Sequence, residues 1–214
     1  NTYTIGLNES FINNLHEAFK KGSDGLNNTN NNNNSNNGNG SEGGSEGSGG
    51  EDENGESKPV PPKGDKGLKH LESLLGQWVG NGQCYALSAE YSGFMGGAGM
   101  GAGTKYGFSH VIGNTMNASD IGSAYDWKSL KWTVINNPRY NQLVVGSIIN
   151  WANGGRVGSW YADPQYGHTG VIRGLQNNKI QTYEQNTEHG MIVAKLERAY
   201  YTANDIASIV IPPN

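Results

Sequence analysis

From Asn27 to Pro59 the sequence contains no Val, Ile, Leu, Met or aromatic residue: NNTNNNNNSNNGNGSEGGSEGSGGEDENGESKP. A stretch of this kind buries too little apolar surface to offset the entropy of ordering, so it belongs to no core and divides the chain. Residues 27–66 are therefore expected to be a disordered linker, with a root-mean-square span of roughly 30 Å for a Gly/Ser/Asn-rich coil. What folds lies on either side of it. Residues 1–26 are too few for a core of their own, and residues 67–214 suit one domain.

The linker also holds the charge. Between Ser41 and Lys58 stand six acidic residues and one lysine, a balance of −5 against −4 for the whole chain. The remainder is left at about +1, with no lysine-arginine cluster, which argues against a nucleic-acid partner. No apolar run approaches the length of a membrane-spanning helix. No charged segment followed by an apolar one opens the chain, so no signal peptide is expected. The chain begins with Asn rather than Met, which reads as a processed product or a piece of something longer. A single cysteine rules out an internal disulfide.

Within residues 1–26, SFINNLHEAFKK places Phe11, Leu15 and Phe19 on one helical stripe. A helix so short is not stable alone. It is expected to be the tail of a preceding domain or a docking element for a virion or tail protein. The larger segment opens with LKHLESLLG, where Leu68, Leu71, Leu74 and Leu75 make a second stripe, stopped by Gly76. A further helix follows in QCYALSAEY, with Cys84, Leu87 and Tyr91 on one face. GFMGGAGMGAG, residues 93–103, lacks a preceding strand and a following Gly-Lys-Ser/Thr, so a phosphate loop is set aside and a mobile surface loop is expected. From Gln142 onward the period changes to that of strands: QLVVGSIINWA, GHTGVIRGLQ, KIQTYEQN, MIVAKLERAY and IASIVIP, with LQNNK as a tight hairpin. Helices first and an antiparallel sheet later predict an α+β fold.

The lone cysteine stands in VGNGQCYALS, at the start of the predicted helix. Unpaired N–H groups and the helix dipole favour a thiolate there, and the same N–H groups can hold a developing oxyanion. Gly80 and Gly82 keep the approach free of side chains. A base must come from elsewhere. His16 lies beyond the linker and His70 on the surface of the Leu-striped helix. His110, in FSHVIG, has no hairpin partner carrying a carboxylate. His168 opens a strand in YGHTGVI, sharing a face with Gly170 and Ile172. On the next strand Ile180, Thr182, Glu184 and Asn186 share a face, and either Glu184 or Asn186 can orient the imidazole. Among the aromatic residues Trp127, Trp132 and Trp151 are expected in the core. Trp160 and Tyr161, in the polar loop leading to His168, are expected to line a groove.

GNGQCYALS, then GHTGVI, then YEQN, in that order, resembles the CHAP family of cysteine, histidine-dependent amidohydrolases and peptidases. The resemblance covers most of residues 68–212. It implies a papain-like α+β fold related to NlpC/P60, with Cys84 as nucleophile, His168 as base, Glu184 orienting the histidine and Asn186 in the same site; Gln83 also matches the family. It implies a peptidoglycan hydrolase, either an N-acetylmuramoyl-L-alanine amidase or an endopeptidase, acting outside the producing cell or from a phage virion on a Gram-positive wall. Some family members bind calcium through Asp residues flanking the cysteine. Here those stretches hold only Glu90, so no cofactor is expected. Two other readings stay open: a papain-like protease or acyl transferase acting on protein, and a non-catalytic virion or cell-surface module.

Overall fold

The computed structural model describes residues 64–213. The expected helix over Ser10–Lys21 and nearly all of the linker lie outside these residues. The described part opens with helix α1 (Asp65–Ser73). Leu71 of its stripe is fully buried, and Leu68, Leu74 and Leu75 pack partly buried against the same core. Helix α2 (Cys84–Phe94) begins on the cysteine and buries Leu87 and Tyr91 completely. A short α3 (Ile121–Ala124) follows.

The strands are β1 (Thr133–Asn136), β2 (Ile148–Trp151), β3 (Arg156–Val157), β4 (Trp160–Tyr161), β5 (His168–Gln176), β6 (Lys179–Glu184), β7 (Ala194–Ala199) and β8 (Ile206–Ile211). Six of them form an antiparallel sheet in the order β1-β8-β2-β5-β6-β7, while β3 and β4 make a small hairpin of their own. The LQNNK turn is the tight hairpin expected: Asn177 and Asn178 both take positive φ, and Gln176 pairs with Lys179.

Strand alternation gives the sheet two apolar faces. Ile148, Val171, Tyr183 and Val210 join α1, α2 and Trp127 in one cluster. Ile149, Trp151, Ile172, Ile180 and Ile209 form the other, closed by Leu143, Val157 and Ala162. Both faces are covered, which is why β2 is buried at every position.

Two local expectations differ from what forms. QLVVG forms no strand, since Gln142 ends a single 3-10 turn and Val145–Gly146 turn the chain, so only the IINW of that run is strand, at the sheet centre between β8 and β5. The glycine run after α2 is not a mobile surface loop. Ala98 and Met100 are fully buried, and a Cβ on Gly99 would lie 2.7 Å from the Tyr106 carbonyl oxygen. The glycines there serve close packing of backbone on backbone. Among the described residues, no helix is long and apolar enough to cross a membrane.

Candidate active site

The cysteine is presented by a turn that only glycine permits. Gly82 sits at φ 80°, and a Cβ there would lie 2.6 Å from the Trp78 ring. The Asn81 side-chain oxygen accepts the Gln83 N–H at 3.1 Å. Gln83 is extended, and Cys84 begins the helix half-buried. The sulfur therefore lies among the unpaired N–H groups of the first turn.

His168 stands at the leading end of β5, 3% exposed. Its Nε2 meets the Glu184 carboxylate at 2.9 Å, and the Cys84 sulfur is the other group that acts on the imidazole. Gly170 makes the first contact possible. It faces Glu184 across the β5–β6 ladder, and a Cβ there would sit 2.7 Å from the Glu184 Cγ. The carboxylate can then lie along β5 and reach the imidazole. Burial opposes the imidazolium, but the sulfur and the carboxylate beside it outweigh that, and His168 is pushed up to about 9. Glu184 is fully buried, which by itself would raise it. His168 and Arg198 more than offset this and hold it down to about 2. The arrangement is a buried ion pair turned towards a thiol.

Cys84 and His168 lie in the wall of an open cleft of about 510 Å³. Gln83, Trp160 and Asn186 line it as well. The Trp160 ring stands edge-on to His168 at 4.9 Å. The Asn186 side chain, on a backbone at φ 57°, donates to the Gln83 side-chain oxygen at 2.8 Å. Of the two candidates for orienting the imidazole, Glu184 touches it and Asn186 is joined to Gln83. Tyr161 points elsewhere: it is 67% exposed and does not line the cleft. Strand alternation puts it opposite Trp160. Trp127, Trp132 and Trp151 are core. His110 is exposed and bonded to Ser109, and His70 pairs with Glu90 at 2.9 Å.

A family model described as the CHAP domain matches residues 76–186, just over half of the chain. The chain belongs to the CHAP family. Its CHAP region is similar to the large catalytic subunit of endolysin PlyC from Streptococcus phage C1, 31% identical over 124 residues. That match takes in 56% of this chain and 26% of the relative, so the chain spans about a quarter of the length of the curated relative it matches. Among solved structures, PlyC superposes with a TM-score of 0.58 at 25% identity, over 68% of this chain and 34% of that one. Ly7917, crystallised with the hydrolysing product of MDP, gives 0.52 at 25% identity, over 70% and 62%. The α+β fold of this CHAP domain is the papain-like one.

Two site-building residues escaped the sequence reading. Gln185 is fully buried and ties the cysteine loop to the sheet. Its side-chain oxygen accepts the Val79 N–H at 2.9 Å, and its amide donates to the Val79 and Gln83 carbonyls at 3.0 and 2.9 Å. Alternation was the available signal, since a residue between Glu184 and Asn186 must face the helices. Arg198 carried no such signal. It is 2% exposed, on β7, beyond the residues matched by the family model.

Phe108, Met116 and Tyr166, all from loops, also line the cleft and are 63%, 73% and 44% exposed.

Proposed function

We propose that this CHAP domain is a peptidoglycan hydrolase in which Cys84 is the nucleophile, His168 the general acid and base, and Glu184 the group that orients the imidazole. The observation that carries the reading is the sulfur at a helix N-terminus against a buried His168–Glu184 pair, in the wall of a cleft open enough for a polymer. Its likeness to an endolysin catalytic subunit supports the choice of substrate.

The thiolate attacks an amide carbonyl carbon, and the oxyanion forms against the N–H groups at the start of α2. The C–N bond then breaks, and the imidazolium gives its proton to the departing amine. Water attacks the thioester with His168 now as base, releasing the acid and restoring the sulfur. Gln83 and Asn186, joined to one another, and Trp160 bind substrate along the same wall. The composition of residues 27–66 supports a tethering role, with residues 1–26 meeting a preceding domain or a virion protein.

Turbidity loss of purified Gram-positive walls is the test. Wild type should clear them, while Cys84→Ala and His168→Ala should each lose more than about a thousandfold. Mass spectrometry of the fragments decides the bond: a freed stem peptide marks an amidase, cut bridges an endopeptidase. Casein cleavage without wall lysis would replace this reading with that of a protein protease.

A further inference from the structure

Glu184 has both of its oxygens filled. Oε1 accepts from Thr182 at 2.5 Å and from the Arg198 Nε at 3.0 Å. Oε2 accepts from His168 at 2.9 Å and from the Arg198 Nη2 at 2.8 Å. The guanidinium is thus a two-pronged partner of the carboxylate. Its far side repeats the arrangement: Nη1 and Nη2 donate to the two Glu188 oxygens at 2.8 and 2.9 Å. Trp160 covers it, with the ring 5.3 Å away.

We propose that Arg198 is a positioning residue of the catalytic apparatus. It keeps Glu184 a carboxylate through the whole reaction cycle, and through Glu188 it holds the loop that carries Gln185 and Asn186. The proposal rests on the reading of Cys84, His168 and Glu184 given above.

The reason is electrostatic. While His168 is an imidazolium, Glu184 has a cationic partner. Once the proton goes to the leaving amine, a fully buried carboxylate would stand beside a neutral ring. Such a group takes up a proton and becomes a donor, and the imidazole then loses the acceptor that fixes its Nε2–H. Arginine does not deprotonate, so Arg198 supplies a charge that outlasts the transfer. The carboxylate goes on accepting from Nε2, and the ring keeps its orientation beside the sulfur. The charged groups around Glu184 are His168 from β5 and Arg198 from β7, with Glu188 behind the arginine and the Cys84 sulfur beyond the imidazole.

Alkylation of Cys84 by iodoacetamide, followed by intact mass against pH, tests this without any substrate, since the chain has one cysteine. In Arg198→Gln the acid limb of the rate profile should move up by about one pH unit or more, and lytic kcat should fall more than about tenfold with KM within about twofold. Arg198→Lys, which keeps the charge and loses the fork, should move the limb less while still lowering kcat. Glu188→Gln should raise KM and leave the limb in place. An Arg198→Gln profile that overlays wild type overturns the proposal. Should that variant not fold, an Arg198→Lys protein with wild-type profile and kcat overturns it instead. If wild type fails to lyse walls yet the limb shifts, the substrate assignment falls and the role of Arg198 stands. If walls are lysed, Cys84→Ala is inert and the limb does not shift, only the role of Arg198 falls.

Discussion

The two walls of the cleft are built on opposite principles. The sheet wall is buried and rich in hydrogen bonds: His168 is 3% exposed, Glu184 and Gln185 are fully buried, and they are tied to α2's leading loop, β5 and β7. The loop wall, with Phe108, Met116 and Tyr166, is apolar and open to solvent. Proton transfer tolerates little displacement, and the groups to which the proposed mechanism gives it are locked by their neighbours. On the proposed function the other wall meets a polymer, for which contact area matters more than fixed geometry, and exposed apolar side chains supply it. Substitutions on the sheet wall should therefore cost both rate and stability. Those on the loop wall should cost binding alone.

The largest effect should come from Glu184→Ala. It leaves Arg198 without its buried partner and His168 without an acceptor. Lysis should fall by about 10²–10⁴-fold, and stability by ~3–5 kcal/mol. Turnover on walls and urea unfolding measure the two losses, and retention of either would remove the contrast between the walls. Gly170→Ala should follow. Its methyl would lie 2.7 Å from the Glu184 Cγ and from the Tyr183 carbonyl oxygen, so the Glu184 side chain must shift from the imidazole. Activity should drop by about 10²-fold, a misplacement effect seen in kcat rather than KM.

Gln185→Ala removes three hydrogen bonds that join the cysteine loop to the sheet. It should destabilise by ~1–3 kcal/mol because the Val79 N–H is left unpaired, while the Val79 and Gln83 carbonyls keep the Gly82 and Ala86 N–H groups; a lower urea midpoint measures the loss. On the loop wall, Phe108→Ser with Met116→Ser should raise KM several-fold and leave stability within about 0.5 kcal/mol. A large loss of stability there would show that the loop wall is core after all.

The smallest effect is in pH. Glu184, depressed to about 2, adds stability that is complete above its ordinary 4.5 and is lost as pH falls through about 2. His168, raised to about 9, adds stability that is complete below its ordinary 6.5 and is lost as pH rises through about 9. Thermal midpoints should therefore peak between these ordinary values, and Glu184→Gln should flatten the curve on both sides. Lysis should fall as pH passes about 9, where the imidazolium proton is lost.

How much of this the sequence disclosed depends on how local each cause is. The α1 stripe, the helix opening on Cys84, the Asn177–Asn178 turn and the alternation of β5 and β6 all follow from neighbours within a few residues. Cys84, His168 and Glu184 were legible because each sits at the end of such an element. The glycine run misled because glycine marks close approach as well as freedom, and only the partner, here Tyr106, tells which. Tyr161 misled because two adjacent aromatic residues on a strand must face opposite ways, and which of them faces the cleft depends on where the hairpin packs.

The sequence by itself thus determined most of the elements, the order of the candidate site residues along the chain and the family. Tertiary structure alone decided that Gln185 clasps the cysteine loop and that an arginine from the sheet edge stands behind the His168–Glu184 pair. Side-chain period and turn chemistry are properties of short segments. The pairing of buried charges depends on register between strands far apart in the chain, and no local pattern records it.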